Sequence, residues 1–135
     1  MKVCIVSDSH DNRSLLEAAV RTAKQDGAEA VLHCGDVVAP STLNVLKPLG
    51  LPVHVIHGNN HGDLYMMARI ANMPGSMVTF YGQDAGIELA GRKIFIVHYP
   101  HYARAMATTG DWDVVCCGHD HEAKVETVEN IKGSR

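Results

Sequence analysis

The sequence predicts an α/β fold: a layered sandwich with a parallel βαβαβα first half, a more antiparallel second half, and helices on the outside. Three observations carry this prediction. Short apolar runs alternate with stretches of helical spacing as far as Asn72, the pattern of a parallel sheet built from right-handed crossovers. Beyond Pro74-Gly75 the apolar runs are separated by Gly-containing turns instead of helices. Last, no apolar stretch approaches the length of about 18 residues that a membrane-spanning helix needs.

The elements follow in order. Val3 to Val6 reads as a short buried strand ending at Ser7. Leu15, Leu16, Ala19, Val20 and Ala23 then fall at helical spacing, with Ser14 and Glu17 placed for a capping box and Gly27 as the stop. Ala30 to Cys34 is the second strand, Ser41 to Leu49 a short helix after Pro40, Val53 to His57 the third strand and Asp63 to Asn72 a helix that Asp63 can cap. Met77 to Tyr81, Ile87 to Ala90 and Lys93 to Val97 are strand signals assigned to the second, more antiparallel layer. Tyr102 to Thr109 suits another helix, Val114 to Cys117 a buried strand, and Ala123 to Val128 a last strand with alternating faces.

The chain has 135 residues, 46% apolar and 20% charged, which is the length and balance of one globular domain spanning residues 1–135. A net charge of −3 without a block of either sign argues against a nucleic-acid polymer or an anionic membrane as the main partner. Met1 to Val6 is followed at once by Ser7-Asp8, too short and too quickly polar for a signal peptide, so a cytoplasmic location is expected. Cys4, Cys34, Cys116 and Cys117 lack the C-x-x-C spacing of a structural zinc site and read as free thiols. Nine histidines stand out, and histidine in excess suggests metal or proton chemistry.

Those histidines and several carboxylates fall just after the predicted strands. Asp8 and His10 follow the first, Asp36 the second, Asn59 the third, and His98 the strand Ile94 to Val97; His119 and His121 follow Val114 to Cys117. Ligands of open α/β sheets bind at the carboxyl ends of strands. In extended backbone the i and i+2 side chains of Asp8/His10 and of His119/His121 would point the same way. Seven donors exceed one tetrahedral site and suit two adjacent cations that share a bridging carboxylate. Oxygen and imidazole donors without thiolate favour Mn, Fe, Co, Ni or Zn.

Asp8-x-His10, Gly35-Asp36, Gly58-Asn59, His98 and Gly118-His119-x-His121, in that order, resemble the motifs of the calcineurin-like metallophosphoesterases, most closely the small bacterial and archaeal phosphodiesterase branch. The resemblance runs from Met1 to about Val128. It implies that Asp8, His10 and His121 hold one metal, that Asn59, His98 and His119 hold the other, and that Asp36 bridges them. It further implies a metal-dependent phosphodiesterase in which a bridging hydroxide attacks phosphorus in line, with two divalent ions as cofactors. Mn²⁺ is the expected ion, and Ni²⁺, Fe²⁺, Co²⁺ and Zn²⁺ are alternatives. The expected substrate is a small phosphodiester or nucleotide.

The sequence departs from the family pattern in two places. Asn60 stands where many members have His directly after the motif Asn, with His61 one position later, and the usual His-Gly-His is His98-Tyr99-Pro100-His101. Any general acid is therefore His61 or His101, beside a hydrogen bond from the Asn59 amide to a phosphoryl oxygen. The family usually continues past His-x-His through another turn and strand, so the chain looks short at its C-terminus, with an open sheet edge expected there. The alternative function is a catalytically weak protein-binding scaffold of the same fold, like the related retromer subunit.

The remaining polar and sulfur-bearing residues have plainer readings. His33, His54 and His57 lie in or beside apolar strands and read as hydrogen-bonded structural residues, with His33 placed to orient a metal ligand. Asp120 reads as solvent-facing, and Ser9 is not expected to be a nucleophile. Leu64 to Met77, rich in Met, reads as core or interface, and an exposed Met face would suggest self-association into a homo-oligomer. Gly86 to Lys93 fails as a P-loop because Lys does not follow Gly91 directly and no Ser or Thr comes after it.

Overall fold

The computed structural model describes residues 1–37, 40–59, 64–119 and 125–129. Its first half is a four-stranded sheet in the order β1 (Lys2–Val6), β2 (Ala28–His33), β3 (Val53–Val55), β4 (Val78–Phe80), with every pair parallel. The connections are α1 (Arg13–Gln25), a 3₁₀ helix (Pro40–Leu49) and α2 (Leu64–Asn72). The second sheet is mixed. β5 (Asp84–Leu89) runs antiparallel to β6 (Arg92–Val97), and β7 (Val114–Cys116) runs parallel to β6 after α3 (Pro100–Ala107).

The strand at Met77 to Tyr81 therefore belongs to the first sheet and not to the second layer. The reason is topological: α2 supplies a crossover between β3 and β4, which returns β4 parallel to its neighbour. The strand expected over Ala123 to Val128 is not formed at residues 125–128, and Ala123 and Lys124 lie outside the described residues. Val125 is fully exposed, so no apolar face is buried there to hold a strand.

α1 starts two residues earlier than a Ser14 cap would allow. Asn12 is its N-cap, accepting a hydrogen bond from Leu15 N at 3.1 Å, and Ser14 falls inside the helix. Asn is among the strongest N-caps, and its side chain satisfies one of the backbone donors that the first turn leaves without an intrahelical partner.

Alternation along β2 divides the core into two layers. Val31 joins Val20, Leu43, Val53 and Val55 beneath the helices, while Leu32 joins Ile56, Ile94, Ile96 and Cys116 between the sheets. Both faces of this sheet are covered, which is why β2 reads as a nearly unbroken apolar run. Leu32 and Ile96 are 0% exposed, and burying each contributes roughly 1.5–3 kcal/mol. On the outer face of the second sheet, Phe95, Val97 and Ala103 pack together, with Trp112 ringed against Phe95 at 5.2 Å. The Met-rich segment is divided: Met67 and Ile70 are buried, and Tyr65, Met66, Met73 and Met77 are exposed. Among the described residues no helix is long and apolar enough to cross a membrane.

Candidate metal centre

Five strands end at one edge, and the residues after them form the cluster. The loops after β1 and β2 are tied to each other past the end of the sheet. Asp8 N donates to Gly35 O at 2.8 Å, His10 N to Asp36 O at 2.9 Å and Asp11 N to Val37 O at 3.2 Å. Asp8 and His10 do not converge through extended backbone, as their spacing suggested. Both have left-handed φ, 55° and 44°, as do Asp11 at 64°, Asp36 at 65° and His119 at 77°. Only Ala90 shares that conformation elsewhere among the described non-glycine residues. Such backbone costs on the order of 1–3 kcal/mol per residue and persists where its surroundings enforce it, here through the bonds between the two loops.

Asp36 lies at the middle of the cluster, 1% exposed. Its Oδ2 is 3.0 Å from His10 Nε2, and its Oδ1 is 3.4 Å from His98 Nε2, so one carboxylate faces two imidazoles. Asp8 Oδ1 lies 3.9 Å from His10 Nε2 and 3.7 Å from His98 Nε2, while its Oδ2 accepts from His119 N at 2.9 Å. Candidate ligand atoms of Asp8, His10 and Asp36 all lie within 4.8 Å of one another.

His98 shows what this arrangement is suited to hold. Its ring is fully buried, and Nδ1 donates to the Cys34 carbonyl at 2.8 Å, because a carbonyl can only accept. In the neutral ring Nε2 then carries a lone pair. That lone pair faces Asn59 Oδ1 at 3.0 Å and His119 Nδ1 at 3.2 Å, together with the carboxylates of Asp8 and Asp36. With its amide turned, Asn59 would instead donate to His98, to His119 and to both oxygens of Asp36, at 3.0 to 3.2 Å. Asn59 can thus serve the cluster as a proton donor or, with Oδ1 inward, as one more ligand. A set of inward-facing oxygen and imidazole lone pairs fits a divalent cation of the hard or borderline kind. Burial pushes the Cys34 thiol well above its usual range and that of Cys116 up to about 11, so neither offers a thiolate near neutral pH.

Two glycines admit this packing. A Cβ on Gly58 would overlap Asp36 Oδ1 and come within 2.8 Å of the His98 ring, and one on Gly118 would meet Ser7 Oγ at 2.5 Å and Asp8 Oδ2 at 2.6 Å. Gly58→Ala is therefore expected to cost about 1–3 kcal/mol of stability through overpacking. It should also weaken Mn²⁺ binding roughly 10- to 100-fold, as displacement of supporting groups does at other metal sites. Urea titration and calorimetric Mn²⁺ titration check this, and wild-type values in both would refute it.

His33 is buried behind the centre. Gly35 N donates to its Nδ1 at 3.2 Å, so Nε2 carries the proton and donates to Ser9 Oγ at 3.0 Å. Ser9 is thereby engaged in holding the Asp8-x-His10 loop. Burial lowers the His33 pKa to about 4, against an opposing pull from Asp36. Between about pH 6.5 and 4 the unfolded chain takes up a proton here that the folded chain does not, so stability is full above the unfolded value and falls as the pH drops. The loss should approach roughly 3 kcal/mol at about pH 4. His33→Gln should flatten the dependence by about one proton in urea unfolding between pH 4 and 7, and an unchanged slope would refute the assignment.

Of the other described histidines, His54, His57 and His101 have partners of their own. His54 Nδ1 meets Tyr81 OH at 2.7 Å, and His57 lies beside Phe80. His101 is exposed in the first turn of α3 and touches Tyr99 at a ring distance of 6.0 Å. His61, His121, Asn60, Asp63 and Asp120 lie outside the described residues. Tyr99 is the residue the sequence did not single out. Its ring lies 5.1 Å from that of His98 and 5.3 Å from that of His119, and the available signal was an aromatic residue immediately after a candidate ligand.

Fold and cluster together define the class: a two-sheet α/β sandwich with a cluster of oxygen and imidazole donors at one sheet edge. The description of the calcineurin-like phosphoesterase superfamily domain matches residues 1–133, and the chain belongs to that superfamily. Membership places it among phosphoester hydrolases that use divalent metal ions. A phosphodiesterase of Methanocaldococcus jannaschii is 29% identical over 136 residues, covering 97% of this chain and 80% of the relative. The solved structure of an archaeal phosphodiesterase superposes with a TM-score of 0.86 at 26% identity, covering 97% of this chain and 80% of that one. Vacuolar protein sorting 29 of Cryptosporidium parvum shares the fold, with a TM-score of 0.60 at 19% identity over 93% of this chain and 67% of its own.

Proposed function

We propose that the protein is a phosphodiesterase that hydrolyses small phosphodiesters or nucleotides with two divalent ions, Mn²⁺ foremost. The observation that carries the reading is the convergence of the Asp8 and Asp36 carboxylates, the Asn59 amide and the His119 imidazole on Nε2 of His98. Asp8 and His10, with His121, would hold one ion; Asn59, His98 and His119 would hold the other, and Asp36 would serve both. When bound, the ions neutralise the phosphoryl oxygens that repel a nucleophile and supply activated water near neutral pH.

The chain's own residues do the rest. The Cys34 carbonyl fixes the His98 tautomer, so that in the neutral ring Nε2 is the lone-pair atom facing the site. The turned loops hold Asp8 and Asp36 in place before substrate arrives, which spares reorganisation during the reaction. With Oδ1 inward, the Asn59 amide NH₂ is left to donate to a phosphoryl oxygen. His61 or His101 would protonate the leaving alkoxide, a role that matters mainly for poor leaving groups.

The test is turnover of bis(p-nitrophenyl) phosphate by protein stripped with a chelator and then given Mn²⁺. The reading expects activity to vanish on stripping and to return with the ion. Weak metal binding and no metal-dependent rate would favour the protein-binding scaffold instead.

A further inference from the structure

We propose that Tyr99 is a stacking platform for a flat aromatic group on the substrate, which makes nucleotide phosphodiesters the preferred class. The inference rests on the phosphoester-binding reading of the centre and adds to it the identity of the group beyond the phosphate.

Tyr99 occupies a fixed place. It is extended, with φ −92° and ψ 125°, at the N-cap of α3, and Pro100 behind it restricts the backbone to that region. Its carbonyl accepts from Ala103 N at 3.0 Å, which fastens the residue to the first turn of the helix. The ring is half-buried and leans on two candidate ligands at once, at 81° to His98 and 61° to His119. His101 meets it at 45°. Among the described residues, none of these rings lies parallel to it, so none covers its face as a stacked ring would.

A fixed, half-buried aromatic in ring contact with imidazoles that would face a bound phosphate is where a base one sugar away from that phosphate can stack. Tyrosine suits this role because only two side-chain torsions need fixing. Stacking on an aromatic is tolerant of base identity, so the preference should be for nucleotides as a class and not for one base. An aliphatic side chain of similar reach would still fill the space beside the imidazoles but would offer no ring.

The test compares AMP with ribose 5-phosphate, which carry the same phosphate and sugar and differ in the adenine. Each is titrated into wild type, Tyr99→Leu and Tyr99→Phe at saturating Mn²⁺, with Mn²⁺ affinity measured first. The expected result is an AMP preference of about tenfold in wild type, retained by Tyr99→Phe and lost in Tyr99→Leu. Equal affinity for the two ligands in wild type, or a preference that survives Tyr99→Leu, would overturn the proposal. So would a Tyr99→Leu variant that binds Mn²⁺ and both ligands more weakly in the same proportion, because the ring would then only be supporting the imidazoles. Failure of both ligands to bind wild type at saturating Mn²⁺ would instead remove the phosphoester reading beneath it.

Discussion

Asp36→Asn is expected to lower divalent-metal affinity by at least about 100-fold and to remove metal-dependent hydrolysis with it. Groups one step removed from a metal typically contribute 10- to 100-fold in affinity, and Asp36 would be a shared direct ligand. The substitution keeps the shape but removes the charge, and it places an NH₂ within reach of either His10 Nε2 or His98 Nε2, the two atoms that should stay free for the ion. Without metal the variant should melt no lower than wild type, since its amide can satisfy acceptors that otherwise face one another. Calorimetric Mn²⁺ titration beside thermal melting separates the two effects. Wild-type Mn²⁺ affinity in a folded Asp36→Asn protein would remove this residue from the centre.

Metal loading itself should raise stability by a comparable margin. The carboxylates of Asp8 and Asp36 and the lone pairs of His98 and Asn59 are held together at 3.0 to 3.7 Å, an arrangement that favours an intervening cation and that the unfolded chain lacks. An ion that binds only the folded state stabilises it by about 4 kcal/mol at 1,000 times its dissociation constant. For a chain of this size that is roughly a 15 °C rise in melting temperature. Chelation should reverse the rise. A melting temperature unmoved by saturating Mn²⁺ would mean that the folded chain binds it no better than the unfolded one.

The sequence revealed what depends on residue type and order, and less of what depends on backbone geometry. The strand ends carrying Asp8, Asp36, Asn59, His98 and His119 were legible because apolar runs stop where polar, metal-competent residues begin. The reason Asp8 and His10 converge was not legible. Alternation predicts it from extended backbone, whereas the residues lie in a left-handed turn enforced by hydrogen bonds to the loop after β2, and no local pattern reports a bond between loops 26 or more residues apart in sequence. The assignment of Met77 to Tyr81 to the second layer failed for a similar reason: strand propensity does not name a partner, and the α2 crossover does. The Asn12 cap lay within reach of the sequence, since Asn and Ser compete for that role and only the start of the helix decides between them. Tyr99 was legible only as part of His98-Tyr99-Pro100-His101, because its significance lies in contacts across space with His119, twenty residues away.

We expect this edge to hold two divalent ions with Asp36 between them. Anomalous scattering from crystals of the protein grown with Mn²⁺ tests it most directly. Two peaks should flank the Asp36 carboxylate, one on the side of Asp8 and His10 and the other on the side of Asn59, His98 and His119. A single peak, or peaks away from Asp36, would contradict it.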